Sequence, residues 1–324
     1  MRLTYTAICI TLLVFCSSLH SKNVTQSKAR KIKSSLFTNK KYTVGPIIPG
    51  LNQGYVPQGL SYSEKYKLLC LSMYSDTNSP SVLAFIDINT GRIRHSQYLK
   101  ESGTKFMYSH AGGVALGENR LYVSSGKNIY VYPYSVASNL APIKVYSSET
   151  TASFCTYHNR TLFVGEFVYG NKYKSKKSHH VTDRKGIRKY ALICGYNEND
   201  LSSPIFAISI RQKVQGAVFT KKYAYLSISY GRTNNSLIAA YFNPLNEKPH
   251  SKISISGQNI PLWFLDGKNH IKTLSFPPMS EGITPVNGKM AILTESGARK
   301  YQSGGKGPID NIIYYNLSTW SILN

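Results

Sequence analysis

The chain carries 39 Lys+Arg against 15 Asp+Glu, so an acidic residue beside an apolar run is worth asking about. Three such glutamates stand out: Glu166 in TLFVGEF, Glu281 in SEGI and Glu295 in KMAILTES. Two carboxylates at a suitable separation perform acid–base or glycosidic chemistry. With a neighbouring Asp or His they could instead hold a calcium ion, the one cofactor these residue types suggest, although no ligand spacing is visible. His110, in SHAGGVAL, has the chemistry of a general acid or an orienting group beside such a pair. Gln58 in VPQGL and Gln215 in VQGAVF offer amides for hydrogen bonding. Arg232 in SYGRTNNS and Arg299 in ESGARKY each follow a glycine turn closely, where a guanidinium can swing over a cleft and grip a carboxylate or phosphate. Pairing of these arginines with the glutamates accounts for the same residues equally well.

What must position these side chains is a repeat. Gln58-Gly59-Leu60, His110-Ala111-Gly112-Gly113-Val114, Gln215-Gly216 and Glu281-Gly282-Ile283 each open a short apolar run. A tight turn and a second run ending in small or polar residues follow, as in LLCLSMY, RLYVSS, YAYLSISY and KMAILTES. A weaker copy, ASFCTYHNRTLFVGEF, begins at Ala152. The copies start roughly 40–65 residues apart, the length of a four-stranded propeller blade. No stretch sustains a helical period, and Tyr, Val and Ile suit a pleated surface. The expected fold is therefore all-β, a five-bladed β-propeller. The last blade has too few strands after Asn311–Tyr315, and the run Tyr42–Ile48 is spare. The spare strand is expected to close the ring as the outer strand of blade five. Ring geometry should then gather Gln58, His110, Gln215 and Glu281 at one mouth of the channel. Residues at the ends of the second strands, among them Tyr74, Glu166, Tyr230, Arg232, Glu295 and Arg299, should form a second tier.

The N-terminus reads as a signal peptide over residues 1–18, with Arg2 before the apolar run Ala7–Phe15 and small residues at Cys16-Ser17-Ser18. The run is short of the ~20 residues that span a bilayer. The expected product is exported, secreted or periplasmic, and monomeric. Residues 19–41 are polar and basic and read as a disordered tail, leaving 42–324 as one propeller domain. Gly170–Lys189, dense in Lys and Arg with His179 and His180, reads as an exposed basic loop inserted in blade three. Cys70, Cys155 and Cys194 lie in apolar runs, where cysteine is usually a small buried hydrophobe; one disulfide bridge among them is conceivable.

The formal net charge of +24 favours anionic partners such as an acidic polysaccharide or an envelope surface, or else reports only solubility and stickiness. The sequence has no P-loop, Rossmann glycine motif, G-x-S-x-G elbow, H-E-x-x-H or C-x-x-C pattern, which removes those chemistries. The openings VPQGL, HAGGVAL, VQGAVF and SEGI, with SYGR and TESGARKY, resemble a group of exported, mostly bacterial β-propeller proteins, over about residues 42–317. The resemblance implies the fold and carries no site residues. Five-bladed propellers also include glycosidases with an Asp on the first inner strand, where this chain has Gln58.

Three functions fit. The first is a binding protein that takes a small polar, anionic ligand at the channel mouth, through Gln58, His110, Glu166, Gln215, Arg232, Glu281 and Arg299. The second is a hydrolase of glycoside, ester or phosphoester bonds, with Glu281 or Glu295 as base and His110 as acid. The third is a basic scaffold that adheres to acidic surfaces.

Overall fold

The computed structural model describes residues 23–30, 41–134 and 141–320. The signal peptide assigned to residues 1–18 lies outside the described residues.

Five β-sheets form five blades in a ring. Blade one comprises Tyr55–Ser63, Leu68–Ser75, Val82–Asp87 and Ile93–Tyr98. Blade two comprises Gly113–Leu116, Arg120–Ser125, Asn128–Pro133 and Lys144–Ser147. Blade three begins with Phe154–His158, Thr161–Gly165, Ala191–Asn197 and Phe206–Ile210. Blade four is Val214–Phe219, Tyr223–Ile228, Ser236–Phe242 and His270–Phe276. Blade five is Ser280–Val286, Lys289–Thr294 and Asn311–Asn316, with Tyr42–Ile47 as its outer strand. That strand pairs antiparallel with Asn311–Asn316, Val44 opposite Ile313, and closes the ring as expected.

The strand alternation explains how the blades pack. Successive side chains point to opposite faces, so each blade feeds two apolar layers. Leu71 packs with Ala291, Leu293 and Ile312 of blade five, while its neighbour Cys70 packs with Val114 and Val123 of blade two. Val164 packs toward blade two and Phe163 toward blade four. The fifth layer joins Val218 and Tyr225 to Ile283 and Ile292. All three cysteines are free and buried in these layers, so no disulfide forms. Burial pushes the Cys155 thiol up to about 12, which leaves it unreactive.

Two segments lie outside the simple repeat. After Phe242 the chain leaves blade four, and the hairpin Ser251–Ile255 and Gln258–Phe264 extends blade three, Gln258–Phe264 pairing parallel with Phe206–Ile210. The exposed edge of blade three thereby gains cover, and Ile253, Ile255, Ile260 and Leu262 enter its apolar layer.

Residues 23–30, expected within a solvated tail, lie against blades one and five. Val24 is fully buried and its amide donates to Ser96 Oγ at 3.0 Å. Ser27 Oγ accepts from Leu51 N at 3.0 Å, and the Arg30 guanidinium grips the Asp310 carboxylate. Among the described residues, no helix is long and apolar enough to cross a membrane.

Candidate functional site

The polar residues that open the inner strands sit in β-bulges. Strand pairing slips between Pro57 and Gly59, between Val214 and Gly216, and between Ser280 and Ile283. A bulge adds an unpaired residue and re-aims its side chain. Here the residues re-aimed are Gln58, Gln215 and Glu281. The adjoining glycines let the inner strands touch around the axis. A Cβ on Gly59 would lie 2.5 Å from Val114 N of blade two, and one on Gly282 would lie 2.4 Å from Leu60 N of blade one. Ala152, Lys213 and Met279, each just before an inner strand, hold left-handed φ of 49°, 67° and 69°. Such strain in non-glycine residues persists where the surroundings over-determine it, and it clusters at binding sites.

The re-aimed side chains meet in one cavity of about 700 Å³. It is lined by Gln58, His110, Gln215, Arg232, Glu281 and Glu295, together with aromatic residues from four blades. At its buried end Gln58 Nε2 donates to Glu295 Oε2 at 3.0 Å, and Gln215 Nε2 donates to Glu281 Oε1 at 3.0 Å. The glutamates are thus held by amides, not by guanidinium groups.

Their protonation follows from that choice of partner. Burial, then the neighbouring Glu295 charge, holds Glu281 well above the usual carboxylate range. Burial also pushes Glu295 up to about 7, against the opposing pull of the Gln58 hydrogen bond, Lys300 and Arg232. Both carboxyls of this coupled pair are thus raised, because burial disfavours the charged form and each lies in the field of the other.

A stack of aromatic groups flanks this floor. His110 lies face to face with Tyr74, ring centroids 3.8 Å apart and planes 14° apart. Partial desolvation where the ring stacks on Tyr74, and then Lys300, lower its pKa below the ordinary imidazole value. The hydroxyls of Tyr74 and Tyr301 lie 3.3 Å apart, and Lys300 Nζ donates to Tyr74 at 3.4 Å. Arg232 stacks on Tyr301, 5.0 Å from the ring centre, and donates to Ser303 O at 3.2 Å. Lys172 and Lys174 complete a cationic rim.

Two sequence-derived candidates stand elsewhere. Arg299 does not line the cavity; it points to Asp76, 3.7 Å away, and is largely exposed. A short 3-10 turn over Arg299–Tyr301 sends Arg299 outward and brings Lys300 and Tyr301 to the site instead. Glu166 is buried beneath the site, 3.0 Å from His179 Nδ1, and it accepts from Leu192 N at 3.0 Å. His179, expected on a charged surface loop, is only 1% exposed. The loop that carries it is folded: Val181–Thr182 pairs with Arg188–Lys189, Lys176 pairs with Glu149, and Arg184 grips Asp266 with two bonds of 2.8 Å.

Lys300 and Tyr301 were missed because the glycine–arginine pattern drew attention to the residue before them. Phe167 and Tyr173 carried no periodic signal at all. Among the described residues, no three His, Cys, Asp or Glu side chains cluster closely enough to hold a metal ion.

No family model matches the chain, and no curated protein matches it. Similar solved structures are β-propellers at low identity. The glutaminyl cyclase of Myxococcus xanthus is 8% identical over 84% of this chain and 94% of its own, with a TM-score of 0.46. A GH43_1 enzyme from Xanthomonas citri, solved with xylotriose, is 10% identical over 85% of this chain and 90% of its own, with a TM-score of 0.49. A member of the duf4221 family from Bacteroides vulgatus is 9% identical over 90% and 98%, with a TM-score of 0.39. At this distance the likeness is one of fold, and the chain is an all-β, five-bladed β-propeller.

Proposed function

We propose that the cavity binds a small polar ligand carrying an anionic group, in an exported protein. The observation that supports this best is the polarity gradient of the cavity. Its floor is two amide-held glutamates, and its rim is Lys172, Lys174 and Arg232. A ligand would direct hydroxyl or amide donors to Glu295 and its anionic group to the rim. Pockets of this size typically enclose most of a small ligand.

Arg232 packs against Tyr301 at the surface, so Arg232→Ala is expected to leave the fold intact and weaken an anionic ligand roughly ten-fold, the scale of one charge-assisted bond. Isothermal titration with a panel of sugar acids, nucleotides and dicarboxylates would measure it. An unchanged affinity for every ligand that binds would refute the assignment of the rim.

A second reading is hydrolysis, favoured by one specific observation: two amide-held glutamates line the same cavity, and burial raises both carboxyls. A pair of carboxyl groups in one cavity suits an acid and a base. Glu281→Gln separates the readings. It preserves the hydrogen-bonding shape and removes the transferable proton. A hydrolase would lose at least a hundred-fold in kcat, whereas a binder would change affinity only a few-fold.

A further inference from the structure

The aromatic side of the cavity that faces blades three and four joins an insertion to one repeat position. Phe167 and Tyr173 come from the segment that opens the insertion, and Tyr230 from the end of a second strand; all three line the cavity. Phe167 and Tyr173 meet edge to face, 5.1 Å apart at 84°, and Tyr173 meets Tyr230 at 74°. Two ammonium groups lie on these rings. Lys172 Nζ is 5.2 Å from the Tyr173 centre, and Lys213 Nζ is 5.8 Å from Tyr230 and 4.2 Å from Tyr169.

We infer that this wall is the recognition subsite for a hexuronic acid, a sugar ring bearing a carboxylate, presented by an acidic saccharide. The inference rests on the reading that the cavity binds a polar anionic ligand, and it names the class of that ligand.

The ring geometry decides between ring types. A nucleobase is flat and stacks best in a slot between parallel faces. The three rings of this wall stand at steep angles to one another, with only Phe167 and Tyr230 nearer to parallel, at 30° and 6.2 Å. Rings at such angles to one another suit the C–H groups of a puckered ring better than the two flat faces of a base. The floor supplies what the hydroxyls of such a ring need, two carboxyl groups each steadied by an amide. Lys172 and Lys174 stand at the exposed edge, where the carboxylate of a uronic acid would emerge.

The wall is also built to stay in place. Phe167 N donates to Ser153 Oγ at 3.1 Å, and Tyr169 and Tyr173 exchange backbone bonds of 3.0 and 3.2 Å. Beneath it, Glu166 ties both ends of the segment together through His179 and Leu192 N. Glu166 and His179 are thus positioning residues for the wall. A rigid aromatic surface binds without first paying the entropy of ordering a loop.

Isothermal titration of the full chain tests this with disaccharides of galacturonate, glucuronate and mannuronate, their neutral hexose counterparts, and adenosine monophosphate. At least one uronate is expected to bind, with its neutral counterpart ten-fold weaker or more. Tyr173→Ala and Tyr230→Ala should each weaken it about ten-fold, and Lys172→Ala with Lys174→Ala should bring it to the affinity of the neutral sugar. His179→Ala should weaken uronate binding while His179→Gln, which can still donate toward Glu166, recovers part of it.

Silence of every uronate overturns the inference, as does tighter binding of the nucleotide, or uronate binding indifferent to both tyrosines. If another probe binds and depends on Arg232, the cavity still holds a ligand and only its class was wrong. If no probe binds at all, the ligand reading falls with the inference.

Discussion

At the scale of residues, the choice of partner for each glutamate governs behaviour. An arginine paired directly with Glu295 would fix it as an anion; Gln58 satisfies one oxygen, and the fields of Lys300 and Arg232 offset its burial only in part. The result is a carboxyl that titrates at about 7. The consequence for stability has a definite sign. Because its folded value is raised above that of the unfolded chain, the folded state holds a proton that the unfolded state releases. The contribution is fully present below the ordinary glutamate range, and it is lost as pH rises from there through about 7. Glu295→Gln removes the group. The variant should melt close to the parent at pH 4 and above it at pH 8, by calorimetry at both values. A parent and a variant that change in parallel over that range would contradict the raised value. His110 follows the same logic with the opposite outcome. Its depressed pKa keeps it neutral at physiological pH, so its ring stacks on Tyr74 without adding to the cationic rim.

At the scale of elements, the insertion after Glu166 is a folded wall with a buried polar anchor. Glu166 and His179 are each 1% exposed, and the carboxylate keeps three contacts, two to the imidazole and one to Leu192 N. His179→Ala leaves a buried carboxyl with one of its partners gone. Removing one side of such a pair costs about 3–5 kcal/mol when the charge stays buried. Urea unfolding should show a loss of that order, with Arg184→Ala, which breaks the more exposed pair to Asp266, costing less. Equal costs would place the anchor elsewhere. In limited proteolysis of His179→Ala, the first cut is expected within the insertion, since its hold on Leu192 and the inner strands is weakened. The hairpin Ser251–Phe264 is the other element outside the repeat. It seals the outer edge of blade three, and its apolar residues join a layer that also contains Leu162 and Leu192.

At the scale of the molecule, closure is shared by two segments from the start of the chain. Tyr42–Ile47 completes blade five through the sheet, while residues 23–30 clamp blade one to blade five through Val24 and the Arg30–Asp310 pair. Truncations beginning at residues 23, 31 and 49 should therefore melt in descending order. The step from 23 to 31 removes one buried valine, worth about 1.5–3 kcal/mol, and an ion pair that is partly exposed. The step to 49 removes a whole strand and bares the edge of blade five. Thermal melting by circular dichroism would show two separate drops. A truncation at 31 as stable as that at 23 would mean that the clamp contributes nothing to closure.

The amino-acid sequence by itself determined the blades, because each needs the same inner hairpin and an apolar alternation that feeds two neighbouring layers; this is why Cys70 and Leu71 read as core and are core. It determined the closing strand too, since a spare strand and a blade short of one leave little else to do. It also determined that Gln58, His110, Gln215 and Glu281 share a cavity, because equivalent positions in a ring are brought to the same axis.

What only the tertiary structure decided are the contacts with no period behind them. Glu166 and Glu295 end equivalent second strands, yet one is buried under an insertion by His179 and the other lines the cavity, because the partner of each is set by a loop of irregular length. Arg299 and Tyr301 are two residues apart, and a single 3-10 turn decides which of them reaches the cavity. In the aromatic wall only Tyr230 stands at a repeat position; Phe167 and Tyr173, which meet it from the neighbouring blade, have no spacing to betray them. Repetition fixes where the backbone goes, and the side chains of insertions then pack by long-range chemistry that repetition does not encode.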